Sequence, residues 1–237
     1  MRRSRRWLPV RALTIALMMV LGSSLCSVTL AQEARWEELY NQVAPLLQKG
    51  KVREAISVSE ETLKATERTS GPEHPDTATD LLFLGGLYIF QKDFTKTEPL
   101  VKRALAIYEK SLGPDHPWVA TSLNTLAVVY LVKEQLSKAE PLFERALSIR
   151  EKAFRPDHPK VAESLNNLAA IYYRKGQFVE SERLFQRALS IREEAFGPNH
   201  PKVAETLKNM AKLYTKMGRD DEAVPLLNRA RKIQLGL

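Results

Sequence analysis

The chain has 237 residues, of which 44% are hydrophobic and 27% are charged, a composition typical of folded proteins and unlike that of a disordered chain. The formal net charge is +8, but residues 1–31 hold five arginines and no acidic residue. The remaining residues carry 31 Lys and Arg against 28 Asp and Glu, so the high net charge belongs largely to the N-terminus and is poor evidence for a nucleic-acid surface. We therefore expect no nucleic-acid partner.

The N-terminal segment has the layout of an export signal. Its basic start, MRRSRRWLPVR, is followed by an apolar stretch from Ala12, and Thr29 and Ala31 place small residues before a cleavage point. We predict a signal peptide over residues 1–31 that is cleaved after Ala31, so that the protein is exported to the periplasm or secreted. An uncleaved membrane anchor stays open, because the 19 residues from Ala12 to Leu30 are long enough to span a bilayer.

The only cysteine, Cys26, lies inside this segment, and cleavage would leave the mature chain without any cysteine. Disulfides and thiolate metal sites are then excluded from the mature protein. An oxidising compartment therefore poses no hazard to it.

An internal repeat organises the rest of the chain. The dipeptide His-Pro recurs every 42 residues, within the segments GPEHP, GPDHP, RPDHP and GPNHP. The segments KRALAIYEK, ERALSIREK, QRALSIREE and NRARKIQLG recur with the same period. A fixed period of this length indicates a repeat array. We predict four units of 42 residues over 71–237, preceded by a degenerate capping unit over 33–70.

Each unit predicts a pair of helices, as the third complete unit illustrates. Val161, Leu165 and Leu168 have the spacing of an amphipathic helix, and Gly176 is placed to end it. A second amphipathic stretch follows from Phe178. Because no segment alternates with period two, the predicted fold class is all-α, with ten helices in residues 33–236.

The short linker between units should define where each first helix begins. Asp157 is predicted to cap the helix that follows it, with Pro159 in the first turn. Each linker also holds one histidine, but stacked units would place these side chains about 10 Å apart, too far to share one metal ion. We expect each histidine to hydrogen-bond nearby backbone, and we expect no metal and no other cofactor.

These residues resemble the tetratricopeptide repeat. The period of 42 residues, with the motifs SLNNLA and RALxIxE, is similar to the kinesin light chain class of this family. The resemblance implies a right-handed superhelical solenoid of antiparallel helix pairs, whose concave groove binds peptide segments. The matching positions of the third complete unit are Leu165, Leu168, Ala169, Tyr172, Gly176, Phe178, Phe185 and Ala188.

The resemblance also implies which residues line the groove. Asparagine side chains both donate and accept hydrogen bonds, which suits a peptide backbone. The groove would begin with Leu82, Phe83 and Phe90 and end with lysines, so we expect a partner segment with a hydrophobic part and an acidic end. Packing of those three apolar residues against the capping unit stays open, as does a merely solvated lysine row. The candidate binding residues are Asn124, Asn166, Asn167, Tyr173, Arg174, Lys208, Asn209, Lys212 and Lys216.

No motif in the chain indicates an enzyme. It has no G-x-S-x-G motif and no Gly-rich phosphate loop, and its histidines lie only in the repeated linkers. We predict a non-catalytic scaffold that binds a protein or peptide partner. The alternative is a membrane-anchored accessory or assembly subunit of an envelope complex. Apolar Ile233 and Leu235 in the final helix make self-association through that helix a further option.

Overall fold

The computed structural model describes residues 24–236, and ten α-helices account for most of this range. No strand occurs among the described residues, which confirms the all-α prediction. The ten helices of this range match the predicted number. The helices are α1 (Ser24–Gln48), α2 (Val52–Thr69), α3 (Pro75–Phe90), α4 (Phe94–Leu112), α5 (Pro117–Val132), α6 (Leu136–Ala153), α7 (Pro159–Arg174), α8 (Phe178–Phe196), α9 (Pro201–Lys216) and α10 (Asp220–Leu235).

Consecutive helices form pairs, and the pairs stack into a solenoid. The odd-numbered helix of each pair packs along the even-numbered one, which in turn packs against the first helix of the next pair. Small side chains let the two helices of a pair approach, and a Cβ atom at Gly85 would lie only 3.0 Å from Cγ2 of Val101. Fully buried alanines occupy the matching places on the second helices: Ala104, Ala146, Ala188 and Ala230.

In each later pair, a histidine is the N-cap of the first helix, and the helix begins at the proline that follows it. Nδ1 of His158 accepts a hydrogen bond from the backbone N–H of Lys160 at 3.1 Å. The same bond is made by His74, His116 and His200 at 3.2, 3.2 and 3.1 Å. The expectation that these histidines bond nearby backbone is confirmed. No cluster of His, Cys, Asp or Glu in the described part of the chain could hold a metal ion.

The prediction that Asp157 caps α7 was wrong. His158 directly precedes Pro159 and has extended backbone, with φ −73° and ψ 139°, which is the geometry of a capping residue. Asp157 lies one residue too early for its side chain to reach the free N–H groups of the first turn. The position next to proline, rather than the preference of the side chain, therefore decides which residue caps the helix.

The turn inside each pair needs a left-handed backbone. Gly50, Gly176 and Gly218 have positive φ there, as predicted for a glycine that ends a helix. Lys92 and Glu134 stand at the same place of the 42-residue unit and have φ of 62° and 56°. A side chain in this region costs roughly 1 kcal/mol, so two of the five turns carry strain that a glycine would relieve.

The first helix, α1, extends further towards the N-terminus than the repeat pattern predicts. It begins at Ser24 and continues through Ala31, the last residue of the predicted signal peptide. The other predicted signal residues, 1–23, lie outside the described residues. Between residues 24 and 236, no helix is both long and apolar enough to cross a bilayer.

We predict that lowering the pH from about 7.5 to about 5 reduces the free energy of unfolding, because a protonated Nδ1 cannot accept the capping bond. Burial lowers the pKa of His116 and of His158 in the folded state. As the pH falls through about 6.5, the unfolded chain therefore binds protons first and the folded state loses stability. Urea unfolding followed by circular dichroism at several pH values measures the effect.

The control for this prediction replaces both histidines with asparagine, which caps a helix without titrating in this range. The variant with His116→Asn and His158→Asn should lose much of the pH dependence while it keeps the helical content. An unchanged pH dependence in the variant would contradict the role given to the caps.

Candidate peptide-binding face

All of the predicted binding residues lie on three consecutive first helices. Helix α5 carries Asn124, α7 carries four of them and α9 carries the other four. We call this surface of α5, α7 and α9 the first-helix face. It consists of Asn124, Asn166, Asn167, Tyr173, Arg174, Lys208, Asn209, Lys212 and Lys216.

The asparagines join neighbouring first helices across this face. Nδ2 of Asn167 donates to Oδ1 of Asn124 at 2.8 Å, and Nδ2 of Asn209 donates to Oδ1 of Asn166 at 3.3 Å. These bonds use one polar group of each side chain. Asn166 is buried, with only 4% of its surface exposed, so the prediction that it lines an open groove was wrong. The other three are half-buried: Asn124 keeps its amide N–H groups, and Asn167 and Asn209 keep carbonyl lone pairs, so they still offer both kinds of group to a peptide backbone.

The three lysines of α9 form a row of charge that nothing in the described part of the chain neutralises. Lys212 and Lys216 are exposed, Lys208 is half-buried, and none of them forms an ion pair among residues 24–236. Their spacing of four residues places them on one side of the helix, about 6 Å apart along its axis. This end of the face therefore suits a negatively charged segment.

The other charged groups on and beside the face form ion pairs with neighbouring residues. Arg174 pairs with Glu134 in the turn that follows α5. Glu163 lies 3.2 Å from the buried Arg150, and Glu205 lies 3.6 Å from the buried Arg192. The carboxylates at the start of α7 and α9 are thus turned towards arginines within the stack, and the lysine row keeps its charge.

The two buried arginines also tie one pair of helices to the next. Nη1 of Arg192 donates to Oγ1 of Thr206 at 2.7 Å and to the backbone carbonyl of Lys202 at 2.9 Å. Arg150 makes the equivalent bonds to Ser164 and Lys160 at 2.8 and 3.1 Å. Both guanidinium groups have a structural role, because they are buried and satisfy hydrogen-bonding groups at the junction.

The apolar start of the predicted groove is closed. Leu82 and Phe83 are only 1% and 5% exposed, and the indole of Trp36 in α1 meets the Phe83 ring edge-on at 5.0 Å. The prediction that these two residues line an open groove was wrong, and the alternative of packing against the capping unit is confirmed for Phe83. Phe90 differs, because it is 69% exposed.

The physical reason for this closure is a substitution in the capping unit. Trp36 stands where the later first helices have Ala78, Ala120 and Ala162, so a large ring reaches across the neighbouring helix. The ring also lies 5.8 Å from the ring of Trp118 in α5. Helix α1 therefore covers the face of α3 and reaches the third pair of the stack.

A buried ion pair that we did not predict holds α1 in this place. Nε and Nη2 of Arg35 donate to the two carboxylate oxygens of Asp80 at 2.9 and 3.0 Å, and Nη2 also donates to Thr66. Asp80 is 1% exposed. The signal was present in the sequence, because Asp80 occupies a place where the later units have Ser122 and Ser164.

We predict that Arg35→Ala lowers the free energy of unfolding by about 3 kcal/mol, because it leaves the buried carboxylate of Asp80 without its cation. Urea unfolding measures the loss, and the double variant Arg35→Ala with Asp80→Ala should recover part of it. The control is Lys51→Ala, which removes an exposed ion pair with Glu54 and should cost less than about 1 kcal/mol. Equal losses in the two single variants would contradict the prediction.

Comparison with known proteins identifies the same repeats. Sequence models of the tetratricopeptide repeat match residues 46–76, 81–152, 128–194 and 160–235, which together are well over half of the chain. No protein of curated function matches the chain significantly.

Several solved structures share the fold. A Podosopora anserina protein described as a kinesin light chain with nearly identical TPR-like repeats is 27% identical, with a TM-score of 0.69 over 84% of this chain and 94% of that one. BtubC (BKLC) from P. vanneervenii is 21% identical, with a TM-score of 0.68 over 91% and 92%. MamA from Desulfovibrio magneticus RS-1 is 14% identical, with a TM-score of 0.56 over 85% and 96%. At these lower identities the last two show similarity of fold alone.

Proposed function

Because the chain belongs to the tetratricopeptide repeat family and has kinesin light chain-like repeats, we propose that it is a non-catalytic scaffold that binds a segment of a partner protein on its first-helix face. Repeat arrays of this kind act as protein-interaction scaffolds, which accounts for the class of partner. The observation that carries the proposal is the unpaired lysine row beside asparagines that still offer donors and acceptors.

The chemistry of the partner follows from the order of residues along the stack. The first helices α3 and α5 end at Phe90 and Val132, which are exposed. The next two first helices end at Arg174 and Lys216. This edge changes from apolar to basic in the direction of α9. A segment with an apolar part near α3 and α5 and carboxylates near α9 would match it.

The proposal involves no catalytic step. The carboxylates beside the face, Glu163 and Glu205, are paired with arginines of the stack, and the asparagines bridge neighbouring helices. Both carboxylates are thus engaged within the stack. Partner binding also needs no cofactor.

We predict that changing Lys208, Lys212 and Lys216 to glutamate abolishes binding of acidic segments, because the charge of the row is reversed. A library of short peptides, sorted by binding to the purified protein, measures this. The unaltered protein should enrich peptides with an apolar part and an acidic end, and added salt should weaken their binding.

The matched control reverses three exposed cations on the second helices, Lys64, Lys138 and Arg183, so that the net charge changes equally. This variant should select the same peptides as the unaltered protein. Equal loss of binding in both variants, or identical peptide selection by the lysine-row variant, would refute the proposed face.

We further propose that residues 1–31 export the chain and are removed, which places the scaffold in the periplasm or outside the cell. Support comes from the position of the cut, because Ala31 is exposed whereas Gln32 is buried. Nε2 of Gln32 donates to Asp76 at 3.2 Å. Cleavage after Ala31 would thus spare the contacts that hold α1 on α3. Retention of the segment would instead give the membrane-anchored accessory subunit.

We predict that the mass of the intact protein recovered from cells corresponds to a chain that begins at Gln32. The protein should leave the membrane fraction during a salt wash. The control Ala31→Arg places a large residue before the cut, and should yield a chain that keeps its N-terminal segment. A protein of full-length mass that stays with the membrane would support the anchored alternative and contradict cleavage.

A further inference from the structure

The outer side of α10 differs from the same side of the earlier second helices. In α8 this side joins the next pair: Glu182 accepts hydrogen bonds from Tyr214 at 2.8 Å and from Arg219 at 2.8 Å, and Glu193 pairs with Arg229 at 2.5 Å. Phe185 is buried between them. Charged and apolar side chains at these positions of the second helix thus hold one unit against the next.

In α10 the side chains at these positions are different. Val224 and Leu235 occupy the places of Glu182 and Glu193, and Gln234 occupies that of the buried Arg192. Val224, Leu227 and Leu235 are 53%, 46% and 63% exposed. The groups that would hold a further unit are absent from this side of α10, while apolar groups stand where a solvated surface would have charges. We define the α10 stripe as Asp220, Val224, Leu227, Arg231 and Leu235.

The charges at the two ends of the helix have opposite signs. Its first turn is acidic, with Asp220 and Asp221, and its last turns are basic, with Arg231 and Lys232. None of these four side chains forms an ion pair with another residue between 24 and 236. The helix dipole favours such an arrangement in a solitary helix, but it gives no reason for the apolar groups between the charges.

A helix with these properties is complementary to itself when it is turned end for end. A two-fold axis brings the acidic start of one copy beside the basic end of the other, and Val224 and Leu227 of the two copies meet between them. We infer that two copies of this chain pair through the α10 stripe, with the two α10 helices antiparallel.

The spacing of the stripe defines the register. With the two-fold axis midway between Pro225 and Leu226, Val224 of each copy lies opposite Leu227 of the other. The same register places Asp220 opposite Arg231 twice, once on each side of the apolar centre. Within one copy, Asp220 and Arg231 are eleven residues apart, about 16 Å along the helix. The two ion pairs therefore flank the apolar contact, one at each end.

A charge exchange tests the pairing and its direction. Sedimentation equilibrium of the purified protein should show a concentration-dependent dimer. Asp220→Arg and Arg231→Asp should each raise the Kd of that dimer about tenfold or more, because each substitution occurs twice in the interface. The variant that carries both exchanges should restore the Kd, because the pairs are formed again with reversed sign.

The apolar centre is tested by Leu227→Asp, which should abolish the dimer. The protein should stay folded, because Leu227 is exposed in the single chain. The matched control Val179→Asp alters an exposed valine of α8, 73% exposed, and should leave the Kd unchanged. Circular dichroism should show the same helical content for all variants. A protein that stays monomeric, a dimer that survives Leu227→Asp, or a double exchange that fails to restore the Kd would overturn the inference.

Discussion

Each pair of helices depends on its neighbour, because one pair cannot cover the apolar side chains of its own outer surface. Phe143 and Phe185 are almost completely buried only because the next pair lies against them. An ordered series of ion pairs accompanies this packing, in which an arginine of one second helix meets a glutamate of the preceding one. The pairs are Arg103–Glu67, Arg145–Glu109, Arg187–Glu151 and Arg229–Glu193, at 2.6, 2.6, 2.7 and 2.5 Å. These pairs are partly exposed and add little stability, so their effect is to align neighbouring units.

This alignment produces the proposed binding surface. When equivalent helices repeat at a fixed interval, equivalent side chains form rows, and the asparagine bridges between α5, α7 and α9 are one such row. The capping unit interrupts the rows on one side, since Trp36 and the Arg35–Asp80 pair hold α1 over α3. Apart from the exposed Phe90 at the end of α3, the accessible surface of the first helices is therefore limited to α5, α7 and α9, and the lysines lie on α9, at the end farthest from α1.

The periodic features of the fold could be predicted from the sequence, and the contacts made by the exceptions to the period could not. Helix pairs, turn glycines and small residues at helix crossings repeat every 42 residues, so one unit suffices to identify the others. The repeat does not reproduce Trp36, Arg35 or Asp80 in the later units. The contacts Arg35–Asp80 and Trp36–Phe83 join residues more than forty positions apart, which no local spacing reveals. The same limit applies to the asparagines, since a helical pattern shows which side they occupy but not that neighbouring units lie close enough for them to bond each other.

Site-specific photo-crosslinking in living cells tests the central claim most directly, because it reports which side of the stack a partner touches. A photoreactive residue at Asn167 lies on the first-helix face, and one at Gln186 lies exposed on the second helix of the same pair. We expect a crosslinked partner from position 167 and none from position 186. A partner captured at position 186 but not at position 167 would contradict the account, because binding would then occur on the second helices.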